Sequence, residues 1–140
     1  MRVLFDTNVV LDLLLDRQPF SEAAAALFSE VEKGNLTGLI CATSITTVYY
    51  LVNKAAGRKK ADECVELLTS LLEVAAVNRR VIETARELHF KDFEDAVIYA
   101  SALHSAAKAV ITRNLKDFPQ DQIPAFSPEK LLKVLKSAGS

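Results

Sequence analysis

Short apolar runs recur along the sequence, and none of them alternates between apolar and polar residues. They predict strands at residues 2–5, 37–42, 74–77 and 109–112, with residues 125–126 as a candidate fifth. The segments between them carry apolar residues at helical spacing, and the first such pattern covers residues 9–15. Strands that are apolar throughout are buried on both faces, which is typical of a parallel sheet covered by helices. The sequence therefore predicts an α/β protein with a parallel sheet between two helical layers.

The composition limits the classes of protein to which this chain can belong. Its 140 residues suit one domain over residues 1–140, and the equal mix of apolar and other residues excludes a disordered chain. Cys41 and Cys64 lie in apolar segments and indicate buried thiols in a reducing cytoplasm. No apolar segment has the length of a membrane helix, so we expect a cytoplasmic protein without membrane contacts. The net charge of −1 provides no overall attraction for nucleic acid, so RNA would need a local basic patch or a bound metal.

Polar residues follow two of the predicted strands at the point where each strand ends. Asp6 and Asn8 follow the first strand, and Asn114 and Asp117 follow the fourth. Asp95 lies at the start of the helix that leads into the fourth strand. Ligands of parallel sheets bind at the carboxyl ends of the strands, so these side chains are expected to converge. Oxygen ligands of this kind suit Mg²⁺ or Mn²⁺, and such a cluster is used for metal-assisted attack of water on a phosphodiester.

Each acidic residue also has a purely structural interpretation. Asp6 can cap the helix that follows it, and Asp92 with Asp95 has the spacing of a helix cap. Asp117 can close a turn before Phe118. Their joint placement at several strand ends nevertheless favours a site.

Four blocks of sequence, in order, resemble the PIN domain family. The first is Met1–Asp12 with its D-T-N motif, and the second is Thr43–Tyr50. The third is Asp92–Ala96, and the fourth is Ile111–Phe118, in which T-R-N precedes K-D-F. The D-T-N motif is weak alone, but four ordered blocks that cover residues 1–118 are a specific signal.

The resemblance implies a five-stranded parallel α/β/α sandwich with Mg²⁺- or Mn²⁺-dependent ribonuclease activity. Many relatives of this size are toxins of the VapC type, so it also implies an RNA substrate, an antitoxin partner and a homodimer. Carried over to this chain, the catalytic set is Asp6, Asp95, Asn114 and Asp117, and the three aspartates are the metal ligands. The supporting residues are Asn8, Thr47, Asp92, Glu94, Thr112 and Arg113, of which Arg113 is a candidate phosphate contact.

Thr47 departs from the family pattern. The second block usually carries an acidic residue at this position, and a threonine hydroxyl can orient a water but brings no negative charge. The substitution implies a weaker metal site, a site for one ion, or a member without activity.

Three alternatives to the ribonuclease hypothesis differ in chemistry. The strongest is a PIN-like module that binds RNA or a protein partner without cleaving RNA, and Thr47 is the argument for it. A phosphoacceptor of the receiver type requires paired acids after the first strand and a lysine near the last, whereas Arg113 and Asn114 follow the fourth strand here. A phosphatase of the haloacid-dehalogenase type requires a second aspartate where Asn8 stands.

Two further groups of charged residues have structural and functional interpretations. Asp12 and Asp16 are four residues apart, which is typical of a solvated helix face, although Asp12 could support the site. Lys54 and the run Arg58–Lys60 form a basic cluster that is typical of a solvated corner between helices, with RNA phosphates as the other option.

Overall fold

A computed structural model describes residues 1–119 and 122–139 of the chain. The strands are β1 (Arg2–Phe5), β2 (Thr37–Cys41), β3 (Glu73–Ala75), β4 (Ala109–Ile111) and β5 (Ala125–Phe126). The helices are α1 (Thr7–Leu14), α2 (Ser21–Glu32), α3 (Ala42–Ala56), α4 (Arg58–Leu71), α5 (Arg79–Leu88), α6 (Phe93–His104) and α7 (Pro128–Gly139). A short 3₁₀ helix, Leu115–Asp117, lies between β4 and β5.

All five strands are parallel and form one sheet in the order β3-β2-β1-β4-β5. The central strand β1 pairs with β2 on one side and with β4 on the other. Alternate residues of β1 enter different cores: Val3 and Phe5 pack with α1 to α4 and α7, while Leu4 packs with α5 and α6. The predicted parallel α/β/α sandwich with five strands is therefore confirmed.

The ends of the strands differ from the prediction because helices begin earlier than the apolar pattern indicates. Cys41 pairs with Ala75, and the next residue, Ala42, already belongs to α3. Residues 76 and 77 therefore have no partner strand, and β3 covers Glu73–Ala75 instead of 74–77. Similarly, α1 begins at Thr7 rather than at residue 9, because Asp6 caps it.

Gly38 lies where neighbouring side chains pack closely against β2. A Cβ atom at this position would lie 2.6 Å from Leu72 Cδ2 and 2.8 Å from Phe5 Cε2. The absence of a side chain therefore lets the Leu72 and Phe5 side chains pack directly on the strand.

No helix within residues 1–119 and 122–139 is both long enough and apolar enough to cross a membrane.

Candidate active site

Asp6 occupies the centre of the carboxyl edge of the sheet, directly after β1. Its backbone N–H donates to the Ile111 carbonyl at 2.9 Å, which continues the pairing between β1 and β4. Its carboxylate accepts from the Thr7 N–H at 2.8 Å and from the Thr112 hydroxyl at 2.9 Å. The side chain is buried, and this burial raises its pKa above the usual range, although the two hydrogen bonds act in the opposite direction. The Asp6 carboxylate is thus held in place and poorly solvated.

Asp95 lies in the first turn of α6 and has a strongly perturbed carboxyl group. Burial first, and then the charges of Asp92, Asp6, Asp117 and Glu94, raise its pKa to about 7. The charges of four other carboxylates, from three parts of the chain, therefore act on Asp95. Asp6 and Asp117 are among them, and a metal site shared by Asp6, Asp95 and Asp117 stays a prediction.

The raised pKa of Asp95 predicts a specific pH dependence of stability when no divalent cation is present. The folded protein holds the Asp95 proton more tightly than the unfolded chain, where the pKa is near 3.8. Protonation of Asp95 therefore adds to the free energy of unfolding. This added stability is complete below pH 3.8 and is lost as the pH rises through about 7. Urea unfolding in EDTA should therefore show wild type losing stability across this interval relative to Asp95→Asn, which cannot titrate there. Parallel curves for the two proteins would contradict the repulsive cluster.

Asp92 and Glu94 flank Asp95 in different ways. The Asp92 carboxylate accepts from the Asp95 N–H at 3.2 Å and so caps α6, as its spacing predicts. Both side chains are exposed, and both raise the pKa of Asp95. They add negative charge at the rim of the site.

The segment after β4 brings the fourth block to the same edge. Thr112 is fully buried, donates to Asp6, and accepts from the Asn114 N–H at 3.0 Å. Asn114 precedes the 3₁₀ helix, and its carbonyl accepts from the Asp117 N–H at 3.0 Å. The side chains of Asn114 and Asp117 are exposed, whereas Thr112 fixes the position of the Asp6 carboxylate.

Ser44 adjoins the site, although the sequence does not single it out as a candidate residue. It is fully buried at the start of α3, and its hydroxyl lies 2.6 Å from the Thr7 hydroxyl. This hydrogen bond joins α3 to the helix that Asp6 caps. The sequence shows only a serine in the first turn of a helix that follows a strand, because its burial and its contact with Thr7 depend on how α3 packs against α1.

Thr47 lies on α3 one turn after Ser44 and is half-buried. Residues three apart share a helix face, so Thr47 follows Ser44 on the side that meets Thr7. Its hydroxyl donates to the Thr43 carbonyl at 3.5 Å. Its side chain therefore brings neither charge nor a strong hydrogen bond to the site.

Arg113 forms an ion pair with Asp12. Its Nε and Nη2 atoms donate to the two Asp12 oxygens at 2.6 and 3.1 Å, and its guanidinium lies 3.9 Å from the centre of the Phe20 ring. Asp12 is only 1% exposed, so the expected solvated face was wrong for this residue. The Arg113 guanidinium still lowers the pKa of Asp6 through space, after the effects of burial and hydrogen bonding.

Asn8 lies near the same network but contacts none of the carboxylates. Its Oδ1 atom accepts a long hydrogen bond of 3.5 Å from Arg17, whose guanidinium also lies 3.7 Å from Asp12. Asn8 is half-buried and supports the start of α1.

The residue types at this edge fit a hard divalent cation. Asp6 and Asp95 are poorly solvated carboxylates that repel each other, and a cation between them would offset both effects. Among the described residues, no group of three His, Cys, Asp or Glu side chains is arranged as a complete metal site. Because Mg²⁺ commonly binds through one or two carboxylates and keeps several waters, two aspartates are a sufficient protein contribution.

The fold and this edge define an α/β/α sandwich with an acidic site at the carboxyl ends of its central strands. Residues 2–116 match the sequence profile of the PIN domain, and the chain belongs to the PIN domain family.

A curated relative and several solved structures resemble the chain along most of its length. Ribonuclease VapC1 of Aquifex aeolicus is 27% identical over 134 residues, which cover 92% of each protein. VapBC2 from Rickettsia felis, solved with a DNA fragment from its promoter, gives a TM-score of 0.72 at 16% identity, over 91% of this chain and 98% of that one. A toxin–antitoxin complex from Klebsiella pneumoniae gives a TM-score of 0.67 at 24% identity, over 90% of this chain and 97% of that one. VapC20 of Mycobacterium tuberculosis, a toxin that cleaves the sarcin–ricin loop, gives a TM-score of 0.63 at 16% identity, over 98% of this chain and 95% of that one.

Proposed function

We propose that this protein is a ribonuclease that hydrolyses RNA phosphodiester bonds with Mg²⁺ or Mn²⁺. The observation that carries the proposal is the buried Asp6 carboxylate at the carboxyl end of the central strand, whose charge acts on Asp95 in the first turn of α6. The similarity to ribonuclease VapC1 over nearly the full length supports the same activity.

In this proposal, Asp6 and Asp95 hold the ion, and Asp117 on the 3₁₀ helix adds negative charge beside Asp95. When bound, the ion would polarise the phosphate and favour ionisation of a water. Thr112 and the Thr7 N–H keep the Asp6 carboxylate in one orientation, so that little reorganisation is needed. Asn114 would contact substrate or water at the same edge.

We also propose that the protein is the toxin of a toxin–antitoxin pair, acts as a homodimer, and works in the cytoplasm. Its structural neighbours include toxin–antitoxin complexes. An apolar groove of about 490 Å³ between α1, α2 and α4 gives a protein partner a surface on which to bind. Its walls include Leu13, Phe28, Leu67 and Leu71, and Leu67 is exposed. Two free cysteines suit a reducing compartment.

Removal of divalent metal is expected to abolish cleavage and to lower thermal stability at pH 8. Cleavage of labelled RNA should stop in EDTA and return with Mg²⁺ or Mn²⁺. A ligand that binds only the folded state raises the melting temperature, so a cation at tenfold its dissociation constant should add about 1.4 kcal/mol. Asp95→Asn should lose most of this stabilisation. Cleavage that continues in EDTA would contradict the proposed cofactor.

A second candidate function is an RNA- or protein-binding PIN module without nuclease activity. It is favoured by Thr47, which brings no carboxylate, and by the lack of a complete three-ligand group among the described residues. The same cleavage assay separates the two functions. RNA that is bound but remains intact with Mg²⁺ and with Mn²⁺ would establish the binding module.

A further inference from the structure

A cavity of about 360 Å³ is lined in part by Asp95. The end of α5, the loop before α6 and the 3₁₀ helix form its walls. Asp92, Asp95 and Asp117 line the part nearest the site, and Lys91 and Lys116 line the cavity with them. A ligand in this cavity would therefore contact both the catalytic carboxylates and two cations.

Both lysines are exposed, and neither is used in an ion pair. The ion pairs within the described residues are Arg2 with Glu73 and both Arg17 and Arg113 with Asp12. Lys91 and Lys116 share a cavity with three carboxylates, yet their ammonium groups lie more than 4.0 Å from carboxylate oxygens in the described chain. Their charge is thus available to an anion that enters the cavity.

An RNA substrate needs cations at this place. The divalent ion can compensate the charge of the scissile phosphate. The neighbouring phosphates, however, lie beside a rim whose carboxylates, Asp92, Glu94 and Asp117, repel them. The protein as a whole has a net charge of −1 and offers no general electrostatic attraction for RNA. Lysines beside the carboxylates provide the local positive charge that a neighbouring phosphate requires.

The rest of the cavity lining comprises His89 and an apolar wall that is firmly held. Leu88 and Phe90 line it, and the Phe90 ring packs at 5.4 Å from the Tyr99 ring and at 6.3 Å from the Phe118 ring. Phe118 and Tyr99 are buried, so Phe90 rests on a fixed support. An apolar wall beside two cations matches a nucleotide, which has a flat base and a charged phosphate.

We propose that this cavity binds the RNA nucleotide next to the scissile bond, with its phosphate on Lys91 and Lys116. The proposal rests on the ribonuclease function and extends it by naming the residues that bind the neighbouring phosphate.

The test is the salt dependence of RNA binding by a protein that cannot cleave. In an Asp6→Asn background, binding of a short fluorescent single-stranded RNA is measured by anisotropy at several salt concentrations. Each lost phosphate contact reduces the slope of log K against log salt by about 0.7, so Lys91→Gln with Lys116→Gln should reduce it by about 1.4. At about 0.1 M salt the same slopes correspond to roughly twentyfold weaker binding.

Lys33→Gln with Lys108→Gln is the matched control. Both of these lysines are exposed and precede β2 and β4, so they lie near the opposite edge of the sheet. The proposal expects this pair to change neither the slope nor the affinity by a comparable amount. Equal losses from both pairs would show a general charge effect and overturn the cavity proposal, while the ribonuclease function would stand. Lack of RNA binding by the Asp6→Asn parent would overturn the cavity proposal, whereas the ribonuclease function is decided separately by cleavage of labelled RNA with the wild-type protein.

Discussion

Asp6→Asn is expected to reduce RNA cleavage by about a thousandfold or more without unfolding the protein. Loss of a carboxylate that holds the catalytic ion removes several kcal/mol of transition-state stabilisation, and about 1.4 kcal/mol corresponds to a factor of ten. The asparagine oxygen can still accept from the Thr7 N–H, so the cap of α1 is retained. Because the buried Asp6 charge is itself unfavourable, the variant should melt no lower than wild type at pH 8 in EDTA.

The control for this variant is Asp62→Asn, an equal change of charge at an exposed position on α4. It should cleave RNA like wild type. All proteins are purified in parallel, and initial rates are compared at saturating Mn²⁺. If Asp6→Asn cleaved as fast as wild type, the observed activity would come from a contaminating nuclease.

Thr47→Glu is expected to strengthen Mn²⁺ binding by about ten- to a hundredfold, the size of effect that neighbouring groups have on metal sites. It adds a carboxylate on the face of α3 that Ser44 joins to Thr7, one residue from Asp6. More negative charge near Asp6 and Asp95 should also lower the melting temperature in EDTA. Isothermal titration with Mn²⁺ measures the affinity directly.

Thr47→Gln separates the effect of charge from that of side-chain size. It should leave Mn²⁺ affinity close to that of wild type. A faster nuclease in Thr47→Glu would show that the native site is limited by metal binding, whereas unchanged cleavage with tighter binding would show a site that already functions fully. Equal Mn²⁺ affinity in wild type and Thr47→Glu would place residue 47 away from the ion.

The sheet, and the meeting of residues that follow β1 and β4 at its carboxyl edge, could be predicted because both depend on local pattern. Apolar strands buried on both faces are visible as uninterrupted runs, and parallel strands present their carboxyl ends at one edge. Asp6 and Thr112 follow β1 and β4, which pair directly, so their meeting follows from strand order. Asp6 and Thr112 also lie in the first and fourth of the family blocks.

The contacts between distant side chains could not be predicted in this way. The spacing of Asp12 indicates an exposed helix face, yet the side chain is buried because Arg113, 101 residues later, forms an ion pair with it. Ser44 is similar, since its role depends on how α3 packs against α1. Such pairs depend on tertiary packing, which a single sequence does not display.

The central claim is that Asp6 and Asp95 together hold the catalytic ion, and anomalous scattering from crystals soaked in Mn²⁺ tests it most directly. We predict a Mn²⁺ peak in contact with both carboxylates in the wild-type protein and no peak in Asp6→Asn crystals soaked alongside. A peak bound elsewhere, or a peak that survives in Asp6→Asn, would contradict the claim.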